Sequence, residues 1–220
     1  MSKIDPIKLV TFGDSWPVGT ELATNEVPYG KLLAAMLQVD FQNYAQPGTS
    51  NDHQIFQLKT FLEKNDPSNT IAVFFITSPA RTLVLEDDGK TKKIIYPWAD
   101  MSRGEVSYYY FKYFHNPHFE QFRLHLSVLS MQRICQMHGI RDFYIVGWSK
   151  CSFNFPGIDE SKIFKQGAVT CADLFGVNGE HEFSLASENQ YVYPNHYHPN
   201  QQGHKLIAQT LFEWIKDKIV

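Results

Sequence analysis

Short apolar runs alternate with amphipathic stretches along the whole chain. "KLVTF" (Lys8 to Phe12) is β-prone and runs into Gly13. Pro28 then opens "YGKLLAAMLQ", a helical pattern rich in Leu, Ala and Met. "FQNYA" (Phe41 to Ala45) reads as a second short strand. The glycine-bearing turn "QPGTSN" follows, then a helix with Ile55, Leu58 and Leu62 on one face. "TIAVFFIT" (Thr70 to Thr77) is a continuous apolar run, as expected of a central strand buried on both faces. Asn116 and Pro117 make a helix start; Leu124, Val128, Met131 and Cys135 follow in helical spacing up to a stop at Gly139. "DFYIVGW" (Asp142 to Trp148) is the next strand. Pro199 opens a last helix with Ile207, Leu211 and Ile215 along one face.

Strands alternating with helices predict an α/β fold, a mostly parallel sheet with helices on both faces. The 220 residues are expected to form one domain, residues 1–220, with a substantial core. Arg81 to His115 and Ser149 to Tyr197 resist the pattern and are long enough to carry function or small elements of their own.

Ligands in such folds sit beyond the carboxyl ends of the strands, where Gly13-Asp14-Ser15, Gly48 and Thr77-Ser78 fall. A serine hydroxyl there is a nucleophile only if an imidazole takes its proton. His198, in "YPNHYHPNQQGH", lies just before the last helix, and its loop can return to the first strand's end. The imidazole needs an acceptor on its other nitrogen, for which Asn195 is the local candidate. Gly48 lets a backbone N–H approach an oxyanion closely.

"FGDSWPVG", "NYAQPGTSN" and "NHYHPNQQGHKLIAQTL" together resemble the blocks of the SGNH, or GDSL-type, hydrolase superfamily, in order and over almost the whole chain. The resemblance implies a flavodoxin-like three-layer α/β/α sandwich with about five parallel strands. It also implies a serine esterase acting on acyl, often acetyl, groups of carbohydrates or lipids without a cofactor. On the matching positions it makes Ser15 the nucleophile, His198 the base and Gly48 an oxyanion donor. Two positions depart from the family pattern. The third block's asparagine is absent from "ITSPAR" (Ile76 to Arg81), and Asn51, Asn154, Arg81 or the backbone near Ser78 are its candidate replacements. The family's Asp-x-x-His is here Asn195-x-x-His198; an amide accepts the imidazole N–H but brings no charge, and Asp173 or Glu182 could reach the histidine instead. The alternative is a weakened relative serving as a carbohydrate- or ligand-binding module.

Several residues carry two readings. Asn51 is an oxyanion donor or an N-cap. Arg81 is a substrate ligand or a solvated or salt-bridged loop residue. The aromatic stretch Tyr108 to Phe114, Tyr109 included, lines a substrate groove or packs an inserted helix. The chain is 15% aromatic. A net charge of -3 gives no electrostatic reason to expect nucleic acid. No run approaches the roughly 18 apolar residues that span a bilayer. The N-terminal residues lack a signal-peptide core, and three widely spaced cysteines suit reduced thiols, so a cytoplasmic protein is expected. No metal-ligand spacing is present among the histidines.

Overall fold

The computed structural model describes residues 7–85, 92–95, 105–147, 150–176, 189–193 and 198–219. In chain order the elements are β1 (Lys8–Phe12), α1 (Ser15–Val18), α2 (Tyr29–Leu37), β2 (Asp40–Asn43), α3 (His53–Lys64), β3 (Thr70–Ile76), β4 (Thr82–Leu85), β5 (Lys92–Ile95), α4 (Glu105–Tyr113), α5 (Pro117–Met137), β6 (Arg141–Val146), α6 (Cys171–Leu174) and α7 (Gln201–Ile215).

Four strands pair in the order β2-β1-β3-β6, all parallel, with Leu9 opposite Phe41 and Ile71, and Val73 opposite Phe143. About five parallel strands are expected from the resemblance; the described residues contain four. The antiparallel pair β4–β5 is separate and occupies part of the stretch that resists the sequence pattern.

Side chains alternate across this sheet and build two cores. Leu9, Ile71, Val73, Phe75, Phe143 and Ile145 face α2 and α7, meeting Leu33, Ile207, Leu211 and Ile215. Val10, Phe12, Ala72, Phe74, Tyr144 and Val146 face α3 and α5, meeting Leu58, Phe61, Leu124, Val128 and Met131. The result is a three-layer α/β/α sandwich. β3 is buried at every position because it has a strand on each side and helices on both faces.

Helix starts follow local chemistry. Asn116 accepts from the N–H groups of His118 and Phe119, with Pro117 behind it. α7 begins two residues later than its proline suggests: Pro199 bridges Val192, and Asn200 is the cap, accepting from Gln202 and Gly203. Cys135, Cys151 and Cys171 are all buried. Among the described residues no helix is long and apolar enough to cross a membrane.

Candidate active site

The chain leaves β1 through Gly13, whose φ is +137°. A Cβ there would lie 2.7 Å from Phe75 Cβ and 2.9 Å from Pro17 Cγ, so only glycine fits without rearrangement. Its peptide groups are clamped from α3. Gly13 N–H donates to Gln57 Oε1 at 3.0 Å, and its carbonyl accepts from Gln57 Nε2 at 3.1 Å. The same carbonyl accepts from Thr49 Oγ1 at 2.9 Å and Gln46 N–H at 3.0 Å, which docks the loop after β2 (44–52, the second loop) onto the turn after β1 (the first); the segment after β3 (77–81) is the third.

Asp14 is fully buried. Its Oδ1 accepts from Trp16 N–H at 3.1 Å, and its Oδ2 accepts from Thr77 Oγ1 at 2.9 Å and Arg81 Nη1 at 2.8 Å. A carboxylate taken out of water needs such donors and a counter-charge. Arg81, only 6% exposed, supplies the charge and also donates to Thr49 O at 3.2 Å. Between its two readings, the geometry shows Arg81 in an ion pair with its guanidinium turned inward.

Ser15 heads α1 and is 7% exposed. Its carbonyl accepts from the N–H groups of Gly19 and Thr20 at 3.1 and 3.0 Å. Trp16 beneath it is buried, with ring centroids 5.4 Å from Phe75 and 5.7 Å from Phe175. Gly48, φ +73°, lies in the loop that Gln46 and Thr49 dock onto Gly13.

Asn51 is buried, and its amide reads both ends of one residue: Nδ2 donates to Thr77 O and Oδ1 accepts from Thr77 N–H, each at 2.9 Å. Oδ1 also accepts from Gln54 Nε2 at 3.2 Å. Asn51 thus ties the second loop to the third, while the cap of α3 is Asp52. Ser78 is buried as well, its Oγ accepting from Ala80 N–H at 3.4 Å.

His198 lies on the segment entering α7 and is 21% exposed. Glu21 Oε2 is 3.1 Å from His198 Nδ1 but off the line of the ring N–H, and no other described atom hydrogen-bonds that nitrogen. Asn195 and Glu182 lie outside the described residues. Asp173 is occupied elsewhere: its Oδ2 accepts from the backbone and hydroxyl of Thr170 in a capping box. His204, six residues on, is buried. Its Nδ1 accepts from Tyr29 N–H at 3.1 Å, and burial lowers its pKa to about 4.

Two of the sequence candidates make their contacts elsewhere. Asn154 is exposed, with a 3.4 Å bond from its N–H to Ser152 Oγ; that loop lies on α5, where Ser152 O accepts from Gln121. Tyr109 is 45% exposed on α4, stacked on Tyr113. Conversely, Gln57, Asp14 as the partner of Arg81, and Glu21 emerge only from the three-dimensional arrangement.

No family model and no curated protein matches the chain. Solved structures do. A lipolytic protein of the G-D-S-L family from Veillonella parvula is 15% identical over 94% of this chain and 97% of its own, with a TM-score of 0.48. A carbohydrate esterase, whose active site is described as having divergent catalytic and non-catalytic binding functions, is 12% identical over 96% of this chain and 65% of its own, at 0.50. TesA is 12% identical over 97% of this chain and 99% of its own, at 0.51. The chain has the SGNH hydrolase fold. At these identities the likeness is one of architecture, and the chemistry has to be argued from the residues.

Proposed function

We propose that this SGNH-fold chain is a serine ester hydrolase acting on a small acyl ester, such as an acetyl ester, of a carbohydrate or lipid. The observation that carries the reading is the fixing of the Gly13-Asp14-Ser15 turn. Gln57, Thr49, Gln46, Thr77 and Arg81 converge on two residues to hold the third at the carboxyl end of β1. A turn of no further consequence does not require a buried ion pair.

In this reading Ser15 Oγ attacks the ester carbonyl carbon while His198 Nε2 takes its proton. The backbone N–H groups of Ser15 and Gly48 hold the oxyanion. The carbon–alkoxide bond then breaks, and His198 returns the proton to the leaving alcohol. Water, activated by the same imidazole, releases the acid from Ser15. The site residues named here use no cofactor.

The second reading, a ligand-binding module, is favoured by one observation: the Asn51 amide is engaged with Thr77, and no side-chain amide of the third loop takes the place of the family's asparagine. Losing one oxyanion donor costs about 10²–10³ in kcat. A fluorophosphonate probe separates the two. It should label the wild type and not Ser15→Ala, and turnover of p-nitrophenyl acetate should fall in that variant by roughly 10⁴–10⁶. An unlabelled wild type that binds glycans as well as Ser15→Ala does would establish the module.

A further inference from the structure

We propose that Glu21, rather than a residue of the stretch leading into the histidine, supplies the carboxylate that orients His198. The inference rests on the Ser15–His198 reading and names the residue that completes it. Glu21 Oε2 stands 3.1 Å from His198 Nδ1, with the two side chains 29% and 21% exposed. Nδ1 itself is buried, and no described atom makes an aligned hydrogen bond to it. A carboxylate at Nδ1 selects the tautomer with the proton on that nitrogen. Nε2 is then left as the acceptor a serine hydroxyl needs. It also places a full negative charge beside the imidazolium formed in the transition state, which an asparagine amide does not.

The connection to the nucleophile is short. Glu21 follows Thr20, whose N–H donates to Ser15 O at 3.0 Å, so one turn carries both the serine and the acid. The loop beyond it is pinned to the histidine's own segment. Glu26 Oε2 accepts from Ala23 N–H at 2.8 Å and from Tyr193 Oη at 2.5 Å, and Gln201 bonds both the N–H and the carbonyl of Val27. Tyr193 N–H in turn donates to His198 O at 3.2 Å. Glu26, Tyr193, His204 and Lys205 are further titratable groups around this corner among the described residues.

Glu21 also has φ +74°, a left-handed conformation that disfavours any residue with a Cβ. A strained non-glycine residue at a candidate site points to a use for its side chain. That gives a test in which function and stability move in opposite directions.

Glu21 acts through His198 and is therefore a positioning residue. Glu21→Gln should lower kcat on p-nitrophenyl acetate by about 10²–10⁴ with little change in KM, and slow fluorophosphonate labelling in parallel. Glu21→Asp should recover part of the loss. Glu21→Gly should lower kcat as much as Glu21→Gln while raising the thermal midpoint by about 2 °C. ¹⁵N spectra of His198 should show the proton on Nδ1 in the wild type and its transfer to Nε2 in Glu21→Ala. Full turnover in Glu21→Gln, a larger loss in Asn195→Ala, or an unmoved tautomer overturns the proposal. If the wild type neither hydrolyses the ester nor takes the probe, the hydrolase reading fails. The tautomer measurement still decides the role of Glu21.

Discussion

The two halves of the candidate site are held in opposite ways. At the Ser15 end, Gly13 and Asp14 are buried: the Gly13 backbone bonds Gln57, Thr49 and Gln46, and the Asp14 carboxylate accepts from Trp16, Thr77 and Arg81. At the histidine end, His198 is partly exposed and faces a carboxylate that is close but misaligned. On the proposed reading, the difference follows from what each group would do. A nucleophile's position must be fixed before substrate arrives. A base must rotate slightly as it accepts and returns a proton, and its hydrogen bonds are often loose until substrate is bound.

The strongest way to break this contrast is to remove one member of the buried ion pair. Arg81→Met leaves Asp14 charged, buried and short of its counter-ion. It should cost about 3–5 kcal/mol, a large part of a typical domain's stability. Urea unfolding would show this, and labelling of Ser15 should slow because the turn relaxes. Adding Asp14→Asn should return much of the stability without returning the labelling rate. A loss below about 0.5 kcal/mol in Arg81→Met would mean the pair does not fix the turn.

A second perturbation acts on the histidine end alone. His204 is buried on α7, and with Nδ1 accepting from Tyr29 N–H, its proton sits on Nε2, which has no partner among the described residues. Burial holds its pKa near 4 rather than the ordinary 6.5. Below pH 6.5 the unfolded chain binds a proton that the folded chain refuses until about pH 4. Stability from this group is therefore complete above 6.5, falls as the pH drops through that window, and is flat below it. The total is about 3 kcal/mol. Comparing unfolding at pH 7 and pH 4.5, the wild type should lose about 2–3 kcal/mol more than His204→Asn, whose amide oxygen can still accept from Tyr29. Equal losses would show that the ring is not held neutral.

The contrast also separates what was legible in the sequence from what was not. β1, β3, β6 and α5 were legible because burial writes itself as apolar runs and helical spacing. The glycine turn and the position of Ser15 were legible from motif order. Gln54 and Gln57 were not. Apolarity selects a face of α3 through Ile55, Leu58 and Leu62, yet both glutamines are buried alongside Leu58 and Phe61. They turn inward because Gly13 and Phe75 present backbone groups at strand ends that need partners, and hydrophobic patterning cannot register that demand. Arg81 pairs with a residue 67 positions away, so no local spacing reveals it. The sequence offers Asn195, Asp173 and Glu182 as partners for His198, all within the 25 residues before it, whereas Glu21 comes from the loop after Ser15.

The smallest expected effect tests whether the contrast extends beyond these two ends to the aromatic helix. Tyr109 is 45% exposed, and its ring packs against Tyr108 and Tyr113 on the same helix. Tyr113 and Phe114 are more exposed still, at 63% and 70%. A side chain that covers no core on leaving water contributes little to folding, so Tyr109→Ala should change stability by no more than about 0.5 kcal/mol. Its effect on catalysis depends on whether α4 reaches the substrate. If the site consists only of the two ends, KM and kcat for p-nitrophenyl acetate and for a longer glycosyl acetate stay at wild-type values. If Tyr109 stacks on a sugar ring, KM for the glycosyl ester alone should rise, by about fivefold for the loss of one aromatic contact worth about 1 kcal/mol. The small ester is the control, because it is too short to reach a second surface. A rise confined to the larger substrate would make α4 a third, specificity-setting part of the site; a rise in both would mean that the substitution had disturbed the machinery itself.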